Sequence, residues 1–121
     1  MALIPKLTAM NEPAILCRLE EIEDGGSRGF TIGEGRAARE LFIVRQGARV
    51  LVYENSCPHT GGPLDWQPDV FLDLERRFIQ CATHGALFRI EDGHCVHGPC
   101  LGAFLTPVPA HTEDGLVYLG A

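Results

Sequence analysis

Leu41-Phe42-Ile43-Val44-Arg45-Gln46, then Gly47-Ala48, then Arg49-Val50-Leu51-Val52-Tyr53-Glu54 reads as a β-hairpin. Both arms are rich in β-branched and aromatic side chains, which suit a pleated surface. Glycine first in a two-residue link is what a type II′ turn requires. Working outward, Asp92-Gly93 predicts a second hairpin between Leu87-Phe88-Arg89-Ile90-Glu91 and His94-Cys95-Val96. Short strands are expected over 14–19, 30–32, 78–80, 105–108 and 116–119, punctuated by fourteen glycines and eight prolines. Residues 33–40 allow one helical turn, and no repeat, low-complexity tract or long amphipathic helix is visible. The pattern alone predicts a small all-β domain.

Between the hairpins, Cys57-Pro58-His59 and Cys81-Ala82-Thr83-His84 each place a thiol and an imidazole within a few residues. Such side chains reach a common centre only if the backbone turns between them. Thr60-Gly61-Gly62-Pro63 after the first cluster and Gly85 after the second supply the turn residues. Thiolates favour zinc, copper(I) and iron–sulfur centres, and imidazole suits zinc and iron, so ligand type leaves zinc open. A structural zinc finger draws a Cys pair from one stretch and a His pair from another. Here each loop gives one of each, the order needed when one iron of a two-iron cluster takes both cysteines and the other both histidines.

Cys57-Pro58-His59-Thr60-Gly61-Gly62-Pro63-Leu64 and Cys81-Ala82-Thr83-His84-Gly85-Ala86-Leu87-Phe88 resemble the two cluster-binding loops of Rieske [2Fe-2S] proteins of the soluble, low-potential ferredoxin type. Gly98-Pro99-Cys100 falls where that family has its proline loop, and the resemblance covers about residues 41–119. It implies an antiparallel Rieske-type β sandwich or barrel forming a single domain over 1–121. A small cluster-binding subdomain, about 55–100, would be inserted after the strand ending near Glu54. It further implies one [2Fe-2S] cluster, with Cys57 and Cys81 on the inner iron and His59 and His84 on the outer, reducible one. Backbone N–H groups around Thr60 to Gly62 and Gly85 to Ala86 would donate to the sulfurs, and Pro63 and Pro99 would limit water access.

The chain departs from the family's common pattern in one spacing and from its respiratory members in one set of residues. The interval 60–80 is long, holding Trp66-Gln67-Pro68-Asp69 and the charged run Asp73-Leu74-Glu75-Arg76-Arg77, which reads as a surface excursion. Neither loop has a second cysteine for a bridging disulfide, and Ala86 stands where those members have a serine donor. The missing cysteines and serine resemble the low-potential branch of the family.

With 121 residues and five cysteines, the chain is long enough for a core without disulfides. Cys17, Cys95 and Cys100 read as buried or half-buried reduced thiols, since nearness in sequence does not establish bridging geometry for Cys95 and Cys100. His94, His97 and His111 read as solvated turn or loop residues, and Trp66 as the cap of a small core patch. The N-terminal stretch shows no signal peptide and no apolar run spans a bilayer, so cytoplasmic location is expected. A net charge of −6 disfavours nucleic acid and anionic membranes as partners.

Three function classes follow from the resemblance. The first is an electron-transfer ferredoxin between a flavin-dependent reductase and a terminal oxygenase or similar acceptor. The second is a small Rieske-like subunit of a larger reductase such as nitrite reductase. The third, an oxygenase catalytic subunit, needs a further iron site for which 121 residues leave no room. No nucleophile-elbow serine or other catalytic set is visible. The expectation is a carrier and not an enzyme.

Overall fold

The computed structural model describes residues 15–33, 35–65, 67–82 and 85–120. Within these, three antiparallel sheets form. The first has β1 (Ile15–Arg18), β10 (Leu116–Leu119) and β9 (Ala110–Glu113) in that order. The second has β2 (Ser27–Ile32), β3 (Arg39–Gln46), β4 (Arg49–Glu54) and β8 (Pro107–Val108), and the third β5 (Phe78–Gln80), β6 (Leu87–Arg89) and β7 (Cys95–His97). No helix of the described residues is long and apolar enough to cross a membrane.

The β3–β4 hairpin pairs Gln46 with Arg49 across Gly47-Ala48, and Gly47 takes φ +65° as a type II′ turn requires. Leu41, Phe42, Ile43 and Val44 are all buried. Side chains alternate between the two faces of a strand, so an unbroken buried run means that both faces are covered. Leu41, Ile43 and Val52 pack with Cys17, Ile22 and Val117 on the side of the first sheet. Phe42, Val44 and Tyr53 pack on the opposite side with Phe71, Ile79, Phe88, Ile90 and Leu105.

That second core fixes the inserted part. The chain leaves the second sheet at Glu54 and returns at Pro107, where β8 pairs with the same strand, Tyr53 opposite Pro107. Phe42 stacks on Phe71 with ring centroids 4.3 Å apart, and the Tyr53 hydroxyl donates to the Ile90 carbonyl at 2.6 Å. The charged run over 73–77 is the exposed surface excursion expected, with the Asp73 carboxylate accepting from the N–H groups of Arg77 and Phe78.

Two local expectations are corrected. The second hairpin turns over Ile90 to Gly93 and not in a two-residue link: Gly93 N–H donates to the Arg89 carbonyl at 2.8 Å, and a bulge shifts the register next to Phe88. Asp92 holds this turn, accepting from His94 N–H at 3.0 Å and pairing with Arg89, which holds its carboxyl at about 2. The polar stretch 110–115 forms β9 and a tight turn in which Asp114 and Gly115 take φ +53° and +77°, the mark of a type I′ hairpin. His111 is therefore part-buried on a strand, stacked on Tyr118. Trp66 lies outside the described residues.

Tyr53 is 2% exposed, and burial, then the nearby carboxylates of Asp92 and Glu91, push its hydroxyl up to about 12. A raised pKa stabilises the folded state below the unfolded value of 10 and loses that contribution as pH rises toward 12. Tyr53→Phe should lower stability by about 1–2 kcal/mol at neutral pH through the orphaned Ile90 carbonyl. Denaturant titrations between pH 9 and 12 should then show the variant losing less stability than the parent.

Candidate metal centre

The two Cys/His loops close in the same way although their histidines sit at different offsets. Gly61 N–H donates to the Cys57 carbonyl at 2.6 Å, and Cys57 N–H donates to the Gly62 carbonyl at 2.8 Å. Gly85 N–H donates to the Cys81 carbonyl, and Cys81 N–H to the Ala86 carbonyl, both at 2.9 Å. The glycine four residues after each cysteine takes a positive φ, +80° at Gly61 and +71° at Gly85, which other side chains reach only with strain. Ala82 N–H donates to the Leu64 carbonyl at 2.9 Å, tying one loop to the other.

This closure turns both cysteines inward. Cys57 is 2% and Cys81 1% exposed, and both belong to the core built on Phe42 and Tyr53. Neither is part of a disulfide. His59, on the turn between Cys57 and Gly61, is exposed; His84 lies outside the described residues. Among the described residues no three His, Cys, Asp or Glu side chains converge as a site for one ion. In a two-thiolate, two-imidazole cluster each iron takes only two protein ligands, so no such trio is required. Two buried thiols on matched, cross-linked loops with an imidazole at the surface fit that donor set.

Two features of the support were absent from the sequence reading. Asn55 anchors the first loop, its amide oxygen accepting from Leu64 N–H at 2.7 Å and its amide nitrogen donating to Asp65 at 3.0 Å. The signal available was an Asn just before the cluster, a residue apt to bond nearby backbone. The third loop presses directly on the second: a Cβ on Gly98 would lie 2.7 Å from the Ala86 Cα, and Gly98 takes φ +106°.

One expectation about the surroundings changes. Gly61 and Gly85 donate their N–H groups to the cysteine carbonyls, and Gly62 donates to Thr60 Oγ1 at 3.2 Å, so these amides are engaged within the loops. Pro63 and Pro99 are exposed, while Leu64 and Ala86 are the buried apolar groups beside the cysteines. The remaining thiols, Cys17, Cys95 and Cys100, are buried, as expected. Burial and then the sulfur contact with Cys95 push the Cys100 thiol up to about 12. His94 is half-buried and stacks on Phe104 at 4.6 Å, while His97 is exposed on β7.

A family model of the Rieske [2Fe-2S] domain matches residues 12–111. Among solved structures, the ferredoxin of carbazole 1,9a-dioxygenase from Nocardioides aromaticivorans IC177 is similar with a TM-score of 0.70 and 20% identity, over 89% of this chain and 96% of that one. A chain of the complex of reduced oxygenase and oxidized ferredoxin in carbazole 1,9a-dioxygenase gives a TM-score of 0.70 and 23% identity, over 89% and 92%. The terminal oxygenase of carbazole 1,9a-dioxygenase from Novosphingobium sp. KA1 gives 0.73 and 19%, over 98% of this chain and 35% of that one. At these identities the structural likeness is one of fold. A search of curated proteins found no significant match.

Gly98→Ala tests the contact between the third and second loops. Its Cβ would meet backbone, which cannot swing aside, in a conformation that disfavours alanine. The variant should be less stable by about 2–3 kcal/mol. Denaturant titration checks the loss, and the bound metal should leave faster in a chelator competition.

Proposed function

The chain belongs to the Rieske [2Fe-2S] domain family, and from that premise we propose that it is a one-electron carrier of the ferredoxin type that delivers electrons to a terminal oxygenase. The observation that carries the reading is the matched closure of the two loops, which buries Cys57 and Cys81 in one core and leaves His59 at the surface. Cys57, His59, Cys81 and His84 are the residues that would hold the cluster, in a single domain formed by the whole chain. A bound [2Fe-2S] cluster supplies one-electron oxidation and reduction. The protein's part is positional. Leu64, Ala86 and the aromatic core keep water from the thiolates, and the hydrogen-bonded loops resist movement when the charge changes.

The acceptor reading draws support from the solved complex of oxygenase and ferredoxin, whose matched chain has this fold over most of its length. The likeness to oxygenases extends over about a third of their chain, in keeping with the shared domain alone. A flavin-dependent reductase as donor and a cytoplasmic site of action complete the proposal. Opposite charge speeds docking between redox partners, and a net charge of −6 suits basic docking patches on both.

Dithionite-reduced protein, purified anaerobically, should give an electron paramagnetic resonance signal with the low average g-value of mixed thiolate and imidazole ligation. Chemical analysis should find about two irons and two acid-labile sulfides per chain. Stoichiometric zinc without sulfide would overturn the assignment. Cys57→Ser and Cys81→Ser should each abolish assembly, whereas Cys17→Ser should keep the visible spectrum.

The potential follows from the donors near the sulfurs. Ala86 offers no hydroxyl, no disulfide joins the loops, and the Gly61, Gly62 and Gly85 amides are engaged by protein acceptors. Each absent donor leaves the more negative reduced state less stabilised. A redox titration should place the midpoint near the low end of the Rieske range, roughly −150 mV. A midpoint well above zero would contradict the ferredoxin-type reading.

A further inference from the structure

Two cysteines that the metal centre does not use face each other beneath the third loop. Cys95 Sγ and Cys100 Sγ are 3.4 Å apart and not bonded, and Cys95 Sγ also donates to the His97 carbonyl at 3.3 Å. We propose that Cys95 and Cys100 are a dithiol/disulfide couple, oxidised by low-molecular-weight disulfides, that makes the third loop a covalently modifiable cover of the metal centre.

Backbone hydrogen bonds close both cysteines into one loop. Cys95 N–H donates to the Ala103 carbonyl at 2.8 Å, Gly102 N–H to the Cys95 carbonyl at 3.0 Å, and Ala103 N–H to the Cys100 carbonyl at 2.9 Å. These bonds hold the two cysteines on facing sides of a closed loop. A disulfide needs the sulfurs at about 2.05 Å, so they must approach by roughly 1.4 Å. Cys57 and Cys81 open the two metal-binding loops and share the core with this pair, Cys57 close enough to act on the Cys100 thiol, whereas Cys17 belongs to the opposite core.

Burial sets the order of events. Cys100 is 8% exposed and Cys95 0%, so Cys100 is the sulfur an external disulfide meets first. Cys100, once deprotonated, attacks R–S–S–R, slowly because burial holds its thiol well above the ordinary range, forming a mixed disulfide and releasing one RS⁻. Cys95, deprotonated, then attacks the Cys100 sulfur, forming the Cys95–Cys100 bond and releasing the second RS⁻. Two thiol hydrogens leave as protons and the external disulfide takes both electrons. Gly98 sits between the two cysteines and against Ala86, so the bond locks the segment that presses on the second metal-binding loop.

The test uses metal-loaded protein held for hours with the disulfide of 2-mercaptoethanol, without oxygen, then denatured, alkylated and mapped by mass spectrometry. Alkylatable cysteines should fall from five to three, the lost pair mapping to 95 and 100, while the visible spectrum before denaturation is unchanged. Dithiothreitol should restore all five. Cys95→Ala should trap the mixed disulfide at Cys100, and Cys100→Ala should leave Cys95 fully alkylatable; either variant suffices if the other does not fold. Five alkylated cysteines throughout, a bond involving Cys57 or Cys81, or bleaching in step with thiol loss would overturn the proposal. Thiol counting does not depend on which redox partner the protein serves.

Discussion

Each Cys/His loop is closed by a glycine N–H that donates to the cysteine carbonyl four residues back, and the architecture around the site rests on that bond. A cysteine serves a metal centre shielded from water only if its sulfur points inward while the next few residues reach the surface. That reversal within four residues needs a positive φ at its end, which is why Gly61 and Gly85 occupy equivalent places although His59 and His84 do not. The return bonds from Cys57 and Cys81 N–H to Gly62 and Ala86 satisfy polar groups that burial would otherwise leave costly.

The loops would be aimless without the surface beneath them. β3 and β4 lie between two cores, and the side facing the site carries Phe42, Val44 and Tyr53. Phe71, from the excursion between the loops, stacks on Phe42, and Ile90, from the turn after β6, accepts the Tyr53 hydroxyl. Each loop is thus moored by residues on both sides of it in the chain. The long interval 60–80 therefore combines an exposed, charged tip with Phe71 and Ile79 as parts of the core.

The same closure limits electrostatic tuning. A loop N–H that bonds its own backbone is engaged and unavailable to a sulfur, so the tight turns that bury the thiols also reduce the donors around them. Ala86 adds to this: it is 1% exposed, and Gly98 packs so closely on it that a larger side chain would displace the third loop. Rigidity and a scarcity of donors around the thiols follow from one arrangement of the backbone.

The β3–β4 hairpin, the order of the Cys/His clusters and the exposed 73–77 run were legible in the chain, because β-branched periodicity, ligand spacing and charge are local properties. The Asp114-Gly115 turn was legible too, as an Asp-Gly pair between strands, but the polar residues of β9 masked it. What decided the rest was tertiary. Ile90 leaves its strand for a turn because its carbonyl meets Tyr53, and His111 is covered because Tyr118 stacks on it. The Asn55 anchor, the contact of Gly98 with Ala86 and the approach of Cys95 to Cys100 depend on how loops distant or reversed in the chain come to rest against one another. Residue type and spacing set which groups can serve a metal; only the packing of one loop on another sets which amides, sulfurs and side chains remain available to it.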